Sequence, residues 1–355
     1  MRLSFSSDHE DLRAEFARVF AAEADLARAR AAASQAPYWD RGLWKQLADL
    51  GWLGVATPEA HGGLGQSPLS LCLIAETIGA HPAAIPFASS VLGFAPALTG
   101  SANSLLSGAA QGEIVGALIP LGAWHDLTHK GQKLSGHIAA APDGHALTHA
   151  MTLVGGEALM LIDLRGAARD RVDSLDRVNI AASITCDAAP CETLARGADA
   201  ARIWRRALAH YAVFLAFLQI GGADAALRLA SAHVRQRYAF GRALGSFQAV
   251  KHSLADVLAA IEIGRSNAYY AAAALDEPDG ELTAAAAAAR VSATAAHRLA
   301  ARTYVHLLGA LGATYESDAH LHYRRAQAWG ACIGAPEVWR EEFLRYALAQ
   351  RSEAA

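Results

Sequence analysis

Three observations predict an α+β fold that is mostly helical: apolar residues recur at helical spacing at both ends, short apolar runs lie between turn clusters in the middle, and a long alanine-rich stretch sits near the end. The chain has 355 residues, 53 % of them hydrophobic and 18 % charged. At roughly 100–200 residues per domain this sustains two or three packed cores and excludes wholesale disorder.

Residues 1–112 read as an N-terminal helical domain, with Leu12, Phe16, Val19 and Phe20, then Leu43, Leu47 and Leu50, then Leu71, Leu73, Ile74 and Ile78 at helical intervals. Its breaks are the loop Pro58-Glu59-Ala60-His61-Gly62-Gly63-Leu64-Gly65 and the prolines Pro82 and Pro86. Glu59 and His61 read there as surface polar groups of a turn. Residues 113–197 read as a small central β domain, on runs such as Ile114 to Ile119 and Leu159 to Ile162 between Gly, Asp, Pro and Asn clusters. Residues 198–355 read as a helical bundle, with long stretches at 199–238, 246–276, 281–308 and 317–351. The run Ala284 to Ala289 belongs to one of these helices, since alanine has the highest helix propensity and permits close packing. A β domain between two helical ones leaves a crevice at the junction, where ligand pockets form.

Several classes are excluded. With 31 basic against 34 acidic residues the net charge is −3, and no long basic run offers a phosphate backbone its partner, so no nucleic-acid partner is expected. The first ten positions carry acidic residues and no apolar segment of signal type follows, so a cytoplasmic protein is expected. The apolar stretch Tyr211 to Ile220 falls short of the roughly 20 residues of a membrane span. Cys72, Cys186, Cys191 and Cys332 contain no CxxC pair and read as thiols. His320 and His322, two apart, diverge by about 200° on a helix, so no metal site is expected. Nucleophile-elbow, Walker and dinucleotide-binding glycine motifs do not occur.

The chemistry-bearing stretch is Arg237-Tyr238-Ala239-Phe240-Gly241-Arg242-Ala243-Leu244-Gly245-Ser246-Phe247-Gln248-Ala249-Val250-Lys251-His252-Ser253-Leu254-Ala255-Asp256. Arg237 offers planar, permanently charged donors for a pyrophosphate, Phe240 and Phe247 can wall an aromatic cofactor, and Gln248 can hydrogen-bond its polar edge. Taken singly, the two phenylalanines fit a core equally well, and Arg237 a solvated helix end.

In this spacing the stretch resembles the signature of the acyl-CoA dehydrogenases, flavoenzymes that oxidise an acyl thioester to its α,β-unsaturated form. Three further stretches resemble the family: Trp44 to Trp52 leading into the Pro58 to Gly65 loop, Ile74 to Gly79, and Gly309 to Glu316 followed by His320 to Ala326. The resemblance spans nearly the whole chain. It implies N-terminal helices, a central β-barrel-like domain and a C-terminal four-helix bundle that mediates oligomerisation. It also implies FAD as cofactor, held across a subunit interface by Arg237, Phe240, Gly241, Phe247, Gln248, His306, Gly309 and Ala310. His306 stands where the family usually has glutamine, and Ala310 where it has a second glycine.

The family's reaction needs a carboxylate to take the α-proton while the β-hydrogen leaves as hydride to the flavin. The resemblance puts Ile333 at one usual position of that base and Tyr211, followed by Ala212, at the other. Neither is a carboxylate, and Lys133 to Ala140 lacks the tryptophan usual beside the flavin ring. Residues serving the chain's own site are thus replaced, while those serving a neighbour's flavin remain. This pattern resembles the base-less, shorter subunit of heteromeric acyl-CoA dehydrogenases of steroid side-chain degradation, whose partner is a base-carrying paralogue. Two alternatives stay open: a self-sufficient homo-oligomer with a relocated base, for which Glu316 and Glu337 flank the vacant position, and a non-catalytic assembly protein of the same fold.

Overall fold

The computed structural model describes residues 6–99, 103–120 and 125–353. The first part contains α1 (Ser7–Glu23), α2 (Leu26–Ser34), α3 (Arg41–Asp49) and α4 (Pro68–Ala80). Each starts where a side-chain oxygen accepts an otherwise unpaired backbone N–H: Ser6, Asp25, Asp40 and Ser67 in turn. Phe16 and Phe20 of α1 are fully buried, and Phe16 meets Trp52 edge-on at 4.8 Å. Trp44 of α3 donates from its indole to the Gly112 carbonyl at 3.0 Å, fixing the approach to the β region. Pro82 and Pro86 lie in the break that follows α4, where the sequence suggested one; a π-helical segment, Ala88–Phe94, comes next and runs into α5 (Ala95–Leu98), with α6 (Leu106–Ala110) after it.

Among the described residues seven strands follow: β1 (Gly116–Leu118), β2 (His125–Lys130), β3 (Lys133–Ala141), β4 (His149–Val154), β5 (Ala158–Asp163), β6 (Ala168–Arg171) and β7 (Ala182–Arg196). The order is β1-β4-β5-β7-β3-β2, with β6 also on β7. Among the described residues the β1–β4 strand pair is parallel and the other strand pairs of this sheet are antiparallel. β7 is long enough to pair with β5, β6 and β3, and register shifts in its ladders with β3 and β5 let it bend between them. Among the described residues the hydrogen-bonded path ends at β1 and β2, so the barrel-like wall is open.

The bundle comprises α7 (Gly197–Gln236), a tight hairpin of β8 (Tyr238–Ala239) and β9 (Arg242–Ala243), α8 (Gln248–Ala273), α9 (Asp279–Leu308), α10 (Ala319–Ala331) and α11 (Pro336–Glu353). The stretch 317–351, expected as one helix, is two. Gly334 at φ 105° and Pro336, which lacks an N–H, break it. α7 is long and apolar enough by composition to cross a bilayer, but 78 % of its apolar window is buried inside the fold, as in a core helix. It touches α4 backbone to backbone: a Cβ on Gly79 would lie 1.9 Å from the Leu218 carbonyl oxygen, and one on Gly221 would lie 1.8 Å from that of Glu76. Ala284 to Ala287 and Ala289 are buried on α9, which packs against both α7 and α8. Arg265 of α8 clamps this core, paired with Glu76 of α4 and Asp224 of α7.

Candidate functional site

Two places carry chemistry, and they differ in character. The first is a cavity of about 590 Å³ where the N-terminal helices, the sheet and the bundle meet. Its wall includes Ser89 of the π-helical segment, Asp143 just after β3, Asn179 before β7, Tyr211 of α7, and Trp329 and Cys332 at the end of α10. Most of the remaining wall is apolar, with Ile119, Pro120, Leu215 and Val338.

Neither usual base position presents a carboxylate here. Ile333 is 4 % exposed and packs into the hydrophobic core, although its neighbours Cys332 and Gly334 reach the cavity. Tyr211 does line the cavity, but burial and then the nearby Cys332 and Asp143 raise its hydroxyl further above its ordinary value, so it stays protonated at neutral pH. Glu316 and Glu337, considered as substitutes, are both exposed, and neither lines the cavity. Glu337 is paired with Arg340 at 3.0 Å. His322 is buried and His320 half-buried, and among the described residues no group of three or more His, Cys, Asp or Glu is placed to hold a metal.

Asp143 is the carboxylate that the sequence reading missed. It accepts from Ser89 Oγ at 2.7 Å and from Asn179 Nδ2 at 2.8 Å, both neutral donors, and burial pushes its carboxyl up to about 6. Asn179 joins three parts of the fold, because it also donates to the Ile85 carbonyl at 2.9 Å and accepts from Arg325 of α10 at 2.9 Å. Arg325 lies 3.8 Å from Asp176 and stacks over Trp329 at 4.0 Å. The one legible signal for Asp143 was a Pro-Asp-Gly turn closing a strand, at Pro142-Asp143-Gly144, which alone reads as a loop. Below the cavity, fully buried Arg290 donates to Gln219, to Thr294 and to the Trp329 carbonyl.

The second place is the end of the bundle where α7 turns into α8. The hairpin loop is Phe240-Gly241, with both residues at positive φ, 53° and 77°. Such a two-residue turn suits the twist of a hairpin, yet it normally takes Asn-Gly or Asp-Gly, and phenylalanine there is strained. Phe240 is also 94 % exposed, so it is no core aromatic. Phe247 is half-buried, meets Phe240 edge-on at 6.3 Å and carries the Arg242 guanidinium over its ring at 3.9 Å. Arg237 and Gln248 are exposed on either side of the hairpin. α8 starts beside the end of α9, where Ser253 and Asp256 share a shallow cleft with Arg302 and His306. His306, Gly309 and Ala310 are exposed there, Gly309 at φ 66°.

Family models decide what this arrangement belongs to. The one for the acyl-CoA dehydrogenase C-terminal domain matches residues 187–348, and the one for the N-terminal domain matches residues 6–103. The chain belongs to the acyl-CoA dehydrogenase family. It is 27 % identical over 337 residues to acyl-CoA dehydrogenase IpdE2 of Mycobacterium tuberculosis, covering 94 % of this chain and 95 % of that protein. Against acyl-CoA dehydrogenase FadE34 of the same organism it is 32 % identical over 310 residues, covering 84 % of this chain but 41 % of that longer protein. A solved variant of the Tcur3481-Tcur3483 steroid ACAD superposes with a TM-score of 0.85 at 26 % identity, covering 97 % and 99 % of the two chains.

Acyl-CoA dehydrogenases are oxidoreductases that use FAD, and the hairpin end fits half of a site for it. An exposed phenylalanine held at a strained turn against a half-buried one, and flanked by an exposed guanidinium and an amide, is costly for folding alone and suits a flat cofactor with a diphosphate. The cavity takes its aromatic side chains, Tyr211 and Trp329, from the bundle, whereas β3 brings Ile138 to full burial and Ala140 to the wall and supplies no aromatic ring there.

Proposed function

We propose that this chain is the subunit without the usual base in a heteromeric FAD-dependent acyl-CoA dehydrogenase, completing a flavin site whose acid–base chemistry a paralogous partner supplies. The carrying observation is the contrast within the one chain: Phe240, Arg237 and Gln248 point away from the fold, while the base positions hold buried Ile333 and Tyr211. Two comparisons support the reading: the structural relative is named for two components, and FadE34 is more than twice as long as the part this chain matches. The substrate class proposed is an acyl-CoA thioester, with a steroid acyl group suggested by the same relative's name.

In this role Arg237 would hold the diphosphate, Phe240 and Phe247 would wall the ring system, and Gln248, His306, Gly309 and Ala310 would line the remainder. The flavin, when bound, supplies the acceptor for the β-hydride. This chain's share is to bind and to exclude water at the partner's site.

The test is the visible spectrum of the chain purified alone and co-purified with a base-carrying paralogue, each followed by anaerobic acyl-CoA addition. The pair is expected to carry flavin colour that bleaches, and the lone chain none that does. Bleaching by the lone chain would instead establish a self-sufficient homo-oligomer, and a colourless, inactive pair a non-catalytic assembly protein.

A further inference from the structure

Two smaller pockets, which share no residue with the wall of the large cavity, meet between the N-terminal helices and α7. The inner one, of about 180 Å³, is walled by Leu53, Ala56, Leu71, Val91, Ala95 and Phe214. The outer one, of about 390 Å³, runs along α7 past Ile203 and Ala207 to Arg202 and Arg206. Pro96, Thr99 and His210 belong to both, so the two form one slot with an apolar inner end and a cationic outer end. Arg202, Arg206 and His210 follow one another at four-residue intervals, which puts them on one face of α7. Arg206 is taken up by Asp279 at 2.7 Å and by the Leu275 and Glu277 carbonyls. Arg202 is exposed, with Asp199 at 3.5 Å, and is the guanidinium left for an incoming anion. His210 hydrogen-bonds the Leu275 backbone through one ring nitrogen, while its Nε2 is buried without a partner among the described residues. The charged groups facing it are Arg206 on its own helix, Asp276 before α9 and Asp279 at the start of α9. Burial and then Arg206 pull the imidazole down to about 4, so it is neutral at pH 7.

We propose that this slot binds a short-chain monocarboxylate, its alkyl chain in the inner pocket and its carboxylate in the outer one between His210 and Arg202. Size sets the length of the chain. An apolar cavity of roughly 150 Å³ holds a benzene molecule, so the inner pocket takes about six carbons. Its polar side chains are Thr57, Thr99 and His210, too few for a cluster of ordered waters that each need about two to four partners, whereas an alkyl chain fills it without leaving a donor unpaired. The carboxylate answers two groups that the fold leaves open. Arg202 gives it a charged hydrogen bond, and a proton shared with Nε2 of His210 gives that nitrogen the partner it lacks. The slot lies along the first half of α7, while the flavin half-site follows its last residue, so the two stand or fall separately.

The experiment uses the full chain and sodium hexanoate near neutral pH, with binding followed by calorimetry and the His210 imidazole by NMR. A single hexanoate per chain is expected, with a Kd of about 1 mM or tighter, reasonable for so small a ligand. Butanoate should bind about tenfold more weakly, because its shorter chain leaves part of the inner pocket empty. The imidazole should titrate at higher pH with hexanoate bound than without it, since a neighbouring carboxylate favours the protonated ring. Arg202→Ala, an exposed change, should weaken hexanoate by about 10- to 100-fold and leave hexan-1-ol, which keeps the chain and lacks the charge, as it was. Ala56→Leu, which fills the inner pocket, should abolish the binding of both. Hexanoate that fails to bind at about 10 mM overturns the proposal. So does hexanoate that binds Arg202→Ala or Ala56→Leu unweakened, which would put it elsewhere in the molecule, and so does hexan-1-ol that binds the unaltered chain as tightly as hexanoate, which would leave an apolar void and no carboxylate site.

Discussion

The hairpin end of the bundle and the cavity at the domain junction use the same residue types to opposite ends. Behind the cavity wall an arginine, Arg325, is 3 % exposed, donates to Asn179, lies 3.8 Å from Asp176 and stacks over Trp329. At the hairpin an arginine, Arg237, is exposed beside an aromatic ring that is strained and 94 % exposed. At the cavity Asp143, Ser89 and Asn179 hydrogen-bond one another and Asn179 is tied on to Arg325, so most of the polar contacts are made within the fold. Those at the hairpin gain little from folding, and their arrangement makes sense only with something outside the chain. On the proposed function, the first set serves stability and the second an assembly.

The contrast is broken most sharply by removing the buried arginine. Arg325→Leu would strand Asp176 without its cation and leave the Asn179 oxygen unpaired, at a cost of about 3–5 kcal/mol. Urea denaturation of the purified chain reads this directly. A loss under about 1 kcal/mol would mean that the three-way junction at Asn179 does not hold the domains together.

Acid provides the next largest effect, again confined to the interior. His297 of α9 packs near the Trp329 ring and His322 of α10 near Tyr304, and burial and then neighbouring charges pull them down to about 3 and about 4. The folded chain keeps both neutral while the unfolded chain protonates them from about pH 6.5 downward. Stability they support is therefore present above pH 6.5 and lost as the pH falls toward the folded values, by about 2–4 kcal/mol for the pair at pH 5. Asp143 runs the other way: its raised carboxyl lets the folded chain bind a proton below about 6, offsetting on the order of 1 kcal/mol at pH 5. Thermal melts from pH 7 to 5 should thus show a steep fall, reduced in His297→Gln. Asp143→Asn should deepen that fall, because it no longer gains the offset.

Replacing the exposed arginine should do the reverse of replacing Arg325. Arg237→Ala is expected to change stability by less than about 0.5 kcal/mol, yet to weaken flavin retention in the assembled enzyme by about 10- to 100-fold, as for a lost charged hydrogen bond. Flavin content after dialysis of the assembled enzyme is the measurement. Unchanged retention would remove Arg237 from the half-site.

How much of this was legible follows from which residues depend on local sequence and which on distant partners. Helical periodicity exposed α1, α3, α4 and the long bundle helices, because apolar spacing is a property of the segment itself. The split of 317–351 was missed because Gly334 and Pro336 were outweighed by an otherwise helical pattern. The hairpin residues were legible through their spacing, but whether Phe240 faced the core or solvent was not, since that depends on packing around a turn. Asp143 was invisible for the same reason. Its chemistry comes from Ser89, 54 residues earlier, and Asn179, 36 residues later, and no local pattern announces a contact of that kind.

The smallest expected effect discriminates best, because its sign is unusual. Trading a large aromatic for a small polar residue ordinarily costs stability, since buried area is lost. Phe240 has almost no buried area to lose, and its φ of 53° lies in the left-handed region that asparagine tolerates well and phenylalanine does not. Phe240→Asn, giving the Asn-Gly pair that such hairpins favour, should therefore leave the chain as stable as before or raise it by up to about 1 kcal/mol. In the assembled enzyme the same change removes a wall of the proposed flavin half-site and should lower flavin retention. A variant that is more stable alone and poorer in flavin when assembled would show that folding tolerates this strain and that the assembly uses it. Loss of stability in the isolated chain would show instead that Phe240 already has a partner within its own fold.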